Sequence, residues 1–242
     1  MLEGLYTAAA GMAAQERRLD AVSNDIANVN TAGYKKVRVG FRDLVYQNDG
    51  PTGVRTGAGA ALTQLGRTSQ QGSIQQTGNP FDVAIQGPGY FQVRRADGQT
   101  VLTRNGAFNV DSRGRLANAQ GELMVPGITI PPGTDAGKVS IAADGTVNAG
   151  TRRIGQIQIF NVPAPNGLSP AGDNNYLPTA ASGGVRRIAN PTITQGVLES
   201  SNVDLADAMV DMMDAQRSYS MASKAIHMAD QMAEIANGIK PA

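Results

Sequence analysis

His227 is the one histidine of the chain, and Ser223 and Asp230 stand four residues before it and three after it, the spacing that puts side chains on one face of a helix. Serine, histidine and carboxylate are the parts of a hydrolytic triad. On a single continuous helix, however, they line a convex face with no oxyanion hole and no pocket, so the three read as a half-exposed helix histidine with polar neighbours. One histidine and no cysteine also exclude a multi-histidine metal site, a thiolate site, a cysteine nucleophile and a disulfide. Asp97, Asp111 and Asp144 invite a calcium reading, but none sits in an Asp-x-Asp/Asn-x-Asp/Asn-Gly loop, and aspartate is a common turn residue. The run 56–60, TGAGA, lacks the Lys-Ser/Thr and the helix that a phosphate loop needs. With no acid pair suited to cutting a glycan either, no catalytic group, cofactor or metal is expected.

Composition narrows the classes further. The net charge is +1 and aromatic residues make up 5%, without a basic patch interleaved with aromatics, so a nucleic-acid surface is not expected. The uncharged apolar runs fall well short of the ~18 residues of a membrane span. The first residues, MLEGLYTAAAGM, carry Glu3 and no basic stretch ahead of the apolar ones, so they are expected to stay on the mature chain.

The elements that would carry any function lie at the two ends. In residues 2–30, Leu5, Met12, Leu19 and Ile26 recur every seventh residue, with Ala8, Val22 and Val29 three positions on, which predicts a coiled-coil-like helix. Residues 203–239 repeat the period through Leu205, Met212, Tyr219, Ile226 and Ala233, and carry a second stripe through Met221, Ala225, Met228, Met232, Ile235 and Ile239. Such helices would be ~43 and ~55 Å long. Pairing them covers one stripe of each, and the second C-terminal stripe is left for neighbouring subunits to cover.

Asn28, Asn30, Thr31 and Gly33 should end the first helix near residue 30, with Gly33 in a left-handed conformation. Residues 35–47 fit a strand or a short helix, and 48–60 have the composition of a loop or extended arm. From residue 73 short alternating runs are separated by turn residues: 90–95 and 100–104 about Asp97-Gly98, 107–110 and 115–118 about Asp111 and Gly114, then Asp144-Gly145, 128–130 and 155–162. These patterns predict about eight strands in one antiparallel β-domain. Residues 163–191, rich in proline, read as connecting chain. Ser201-Asn-Val-Asp204 has the form of a capping box opening the second helix, and Gly238 and Pro241 close it. The expected class is α+β: residues 1–72 and 190–242 form a discontinuous helical polymerisation domain, and 73–189 a central antiparallel β-domain.

The run 23–36, SNDIANVNTAGYKK, closely resembles the Asn-rich N-terminal signature of the bacterial flagellar rod and hook axial proteins. Asn24, Ala27, Asn28, Thr31, Gly33, Tyr34 and Lys35 match it, while Ser23 and Asp25 replace the usual Ala and Asn. The stretches 82–93, 102–124 and 196–226 resemble the rod group of that family, most of all its distal members. The resemblance implies a non-enzymatic subunit of the basal-body rod in the cell envelope, a homo-oligomer in a helical tube with other rod and hook subunits as neighbours. It also implies passage through the flagellar type III export apparatus without a cleaved signal. The segment after Gln47 is shorter than is usual for distal members, which leaves proximal rod or hook-type membership open. A soluble chaperone or adaptor that binds a partner helix is the alternative from another class.

Overall fold

In this computed structural model the described residues are 2–44, 47–48, 55–56 and 59–238. They form two compact units, one of Met1–Ala27, Val37–Leu65 and Asp204–Ala242, the other of Asn28–Lys36 and Gly66–Val203. The class is α+β, with a helix at each end of the chain and antiparallel sheets between them.

The first unit contains α1 (Leu2–Ala27) and α2 (Leu205–Gly238). The two helices lie against each other, and Arg18 Nη2 donates to Asp211 Oδ1 at 3.0 Å. The inward line of α2 runs through Ala208 and Ala215, both buried, and continues through half-buried Ala222 and Ala229. It keeps the expected seven-residue period but lies three positions on from Leu205 and Tyr219, which are 41% and 40% exposed. Alanine explains the shift: with no bulk beyond Cβ, a row of alanines lets two helix backbones approach more closely than leucine and tyrosine permit. Met212 and Ile226 flank the row and are half-buried. On α1, Ala14, Val22 and Asp25 are buried, and Leu5, Met12, Leu19 and Ile26 are half-buried.

α1 ends at Ala27, earlier than expected, and Asn28 to Gly33 form turns. The Asp25 carboxylate reaches beyond the helix end, where its Oδ1 accepts from Val37 N at 3.1 Å and fixes the start of the strand Val37–Asp43. That strand pairs with Ala60–Arg67, so residues 37–43 are extended. Gln47–Asn48 pairs with Arg55–Thr56, whereas Gly50, Gly53 and Gly57 of the expected loop lie outside the described residues. So do Ile239, Lys240 and Pro241. α2 is capped by Asp204, not Ser201, because Asp204 Oδ1 accepts from Ala206 N and Asp207 N at 2.8 and 3.2 Å. A carboxylate one residue before the first turn reaches those donors directly and suits the helix dipole.

The second unit is built on a nine-stranded antiparallel sheet. Tyr90–Arg94 lies at its centre, between Thr100–Thr103 and Leu123–Val125, and also meets Ile159–Asn161. Alternation sends Phe91, Val93 and Val101 to a core with Phe108, Ile128 and Ile157, while Leu102 joins Val162 and Tyr176 on the opposite face. Phe91 and Phe108 pack edge to face, 5.4 Å between ring centres. The Asx-Gly turns form as expected. Gly98, Gly114 and Gly145 have φ of 85°, 79° and 82°, and Asp97, Asp111 and Asp144 accept from backbone N–H groups two residues on.

More strands exist than the sequence suggests. Residues 163–191 contribute Ser169–Pro170, Asn175–Leu177 and Arg186–Arg187 to the large sheet, so they are a part of it and not only a connection. The run 128–130 makes one bridge, Arg115 to Thr129, and otherwise places Ile128 and Ile130 in the core. Val83–Gln86 pairs with Thr192–Gln195, and Ile74–Gln76 with Val197–Glu199. The last pairing brings residues far apart in the chain to one place.

Candidate assembly site

The α2 surface away from α1 carries a row of large apolar side chains. Met221, Met228, Met232 and Ile235 are 64%, 58%, 56% and 63% exposed, and Met209, Val210 and Met213 extend the exposed apolar surface toward Asp204. At 3.6 residues per turn the row sits roughly 120° around the helix from the alanine line. Unbranched thioethers adapt to irregular surfaces, so this face suits close contact with a second polypeptide. The side chain of Ala233 lies outside the described ones. His227 is exposed on the same helix, with Ser223 half-buried and Asp230 exposed. No group of three or more His, Cys, Asp or Glu residues among those described is placed to hold a metal ion. No described helix is long and apolar enough to cross a membrane.

The Asn-rich run at 23–36 makes a different kind of site. Asn24 is exposed, and Asn28 closes a turn: its Oδ1 accepts from Thr31 Oγ1 at 3.1 Å and its carbonyl from Thr31 N at 3.1 Å. Gly33 then takes φ of 69°, the left-handed region open to glycine. A Cβ there would lie 2.6 Å from the carbonyl carbon of Arg104. Tyr34 is buried, its ring 5.0 Å beneath the Arg67 guanidinium. Arg67 also stands 5.7 Å from the ring of Tyr176.

Behind Gly33 lies a buried ionic cluster. Glu199 receives hydrogen bonds from Lys35 Nζ and, at 2.6 Å, from Arg104 Nε. All three side chains are almost fully enclosed. Arg104 donates further to the carbonyls of Gly89, Gly87 and Ile85, and Lys35 to that of Gln70. Burial holds the Lys35 ammonium below its ordinary pKa, although the bond to Glu199 acts the other way. Lys35 belongs to the recognised run, but Arg104 and Glu199 were not legible as its partners. A charged residue beside inward-facing strand positions is the one available signal, and it does not tell which distant charge answers it.

Tyr176 supplies a pH test of this region. Burial pushes its phenol up to about 12, against the lowering effect of Arg67. A raised folded-state value means that the neutral phenol stabilises the fold below pH ~10 and that this contribution disappears as pH rises through about 12. We expect Tyr176 of the native chain to ionise about two pH units late by ultraviolet absorbance, and Tyr176→Phe to remove its step while leaving the delay that burial gives Tyr90.

Three family matches cover most of the chain. Residues 5–35 match the family described as "Flagella basal body rod protein", 84–149 the "Flagellar hook protein FlgE/F/G D1 domain", and 194–239 the "Flagellar basal body rod FlgEFG protein C-terminal". Each matched segment supplies one member of the ionic cluster. The chain is 37% identical to the flagellar basal-body rod protein FlgG of Borreliella burgdorferi, over 99% of both chains. It is 39% identical to FlgG of Caulobacter vibrioides, over 99% of this chain and 100% of the other. With the flagellar basal-body rod protein FlgF of Mesorhizobium japonicum it shares 30% identity over 90% of each. End-to-end similarity at this level, together with a helix at each terminus and antiparallel sheets between, makes the chain a structural member of the flagellar basal-body rod protein family.

Proposed function

We propose that the protein is an axial subunit of the basal-body rod, polymerising through its terminal helices into a helical tube that transmits torque and conducts exported subunits. The observation that carries this is the exposed row Met221, Met228, Met232 and Ile235 on the face of α2 away from α1. Its apolar surface becomes stable once neighbours remove it from water. In the tube α1 and α2 act as a coiled-coil-like pair, with Leu5, Met12, Leu19, Ile26, Leu205, Met212, Tyr219 and Ile226 contributing packing within and between subunits. Asn24, Asn28, Thr31, Gly33 and Tyr34 shape the chain where α1 ends. Functionally, residues 1–72 and 190–242 serve polymerisation and 73–189 form the β-domain.

The neighbours in this proposal are further copies of the chain and other rod and hook subunits, and the place in the rod is distal, with a proximal rod or hook-type place the alternative. Export proceeds through the flagellar type III apparatus with the N-terminus intact, and the working location is extracytoplasmic, in the cell envelope. Electron microscopy of the concentrated purified protein tests polymerisation. Tubes or ordered filaments are expected; discrete 1:1 complexes with a helical partner would mark a chaperone or adaptor instead.

A further inference from the structure

Glu199 holds more of the β-unit together than a single ion pair does. Its Oε1 accepts from Lys35 Nζ and from Gly72 N at 3.0 Å, its Oε2 from Arg104 Nε, and its backbone carbonyl from Gly33 N at 2.7 Å. Those side-chain contacts reach back 164, 127 and 95 positions in the chain. The packing around them is tight: a Cβ on Gly72 would stand 2.0 Å from the Ser200 carbonyl oxygen. Among the described residues Glu199 is the one carboxylate bonded to either cation; their other bonds go to backbone carbonyls. Two cations are thus buried on one anion.

Segments leading out of the unit are fixed beside it. Lys36 N donates to Asn202 Oδ1 at 2.8 Å, Asn202 Nδ2 to the Gln70 carbonyl at 2.9 Å, and Thr68 N to the Lys36 carbonyl at 2.9 Å. By contrast, the hairpin that pairs Val93 with Val101 is local in sequence; Arg104 borders it and donates to the Gly89 and Gly87 carbonyls, but its strand pairing uses neither Glu199 nor Lys35. Local pairings form early, and long-range closures later.

We propose that Glu199 is a latch that closes the β-unit last. While the strand Val197–Glu199 is undocked from Ile74–Gln76, burying Lys35 and Arg104 would leave two desolvated cations without a counter-ion, which is strongly unfavourable. They therefore stay in water, and residues 28–36 and 66–73 stay loose until Glu199 arrives. One carboxylate then anchors, in a single step, the chain that leaves α1 and the chain that enters α2. The latch works within the monomer and does not depend on polymerisation.

Pulsed hydrogen exchange during refolding of the full chain tests it. The Val93 and Val101 amides should gain protection in an early phase, and the Gly33 and Gly72 amides in a later one. In Glu199→Gln the early phase should be unchanged, while native protection at Gly33 and Gly72 falls at least tenfold. The double variant Lys35→Met/Glu199→Gln returns the cluster to its original net charge and should regain part of that protection. Protection of Gly33 and Gly72 in the same phase as Val93, or its survival in Glu199→Gln, overturns the latch. So does loss of Val93 and Val101 protection in Glu199→Gln, which would make Glu199 part of the general core. A double variant no better than the single one overturns the electrostatic basis.

Discussion

Replacing Met228 with aspartate is expected to abolish tube formation while leaving the circular dichroism of the monomer unchanged. Met228 is 58% exposed in the monomer, so a carboxylate there stays hydrated and costs the isolated chain little. In the proposed tube the same position would be covered, and desolvating an unpaired carboxylate would cost several kcal/mol at every copy. Ile226→Asp makes the contrast. Ile226 is half-buried beside the alanine line that faces α1, so the charge should lower monomer helicity as well as block assembly. Polymers and normal motility with Met228→Asp would show the row to be ordinary exposed methionine.

The second large effect is expected in the β-unit, from Gly106→Ala. The added Cβ would meet the Val83 carbonyl oxygen at 1.6 Å, and the clashing atom is backbone. Val83 N and Phe108 N both donate to the Gly106 carbonyl at 3.1 Å, so neither segment can withdraw without breaking the pairing that seats Val83, Phe91 and Phe108 in the core. We expect a loss of more than ~4 kcal/mol in urea unfolding, a magnitude reserved for core disruption. Gly137→Ala, where nothing lies within 4 Å, should change stability by less than ~0.5 kcal/mol. Equal effects of the two substitutions would contradict the close crossing at Gly106.

The parts of this fold that were legible from sequence are those governed by local chemistry. Heptad spacing marked both helices, Asp-Gly pairs marked the hairpins, and the exposed row at Met221, Met228 and Met232 follows from the second stripe. The inward line of α2 was harder because the alanines at 208, 215, 222 and 229 carry little hydrophobic weight, yet their small size decides which face two helices share. Residues 169–177 escaped notice because their strands are two and three residues long and are set between prolines and glycines. Their place comes from pairing with Thr100–Thr103, a long-range event. The Lys35, Arg104 and Glu199 cluster was invisible for the same reason: each charge looks ordinary until the fold supplies its partner.

The central claim, that the second stripe of α2 is an interface between subunits, is open to direct measurement because the chain has no cysteine. A Met228→Cys variant carries a single thiol, whose reaction with a maleimide can be followed in the free monomer and in purified basal bodies. Complete labelling of the monomer and protection in the assembled rod are the expected results. Equal labelling in both states would contradict the claim.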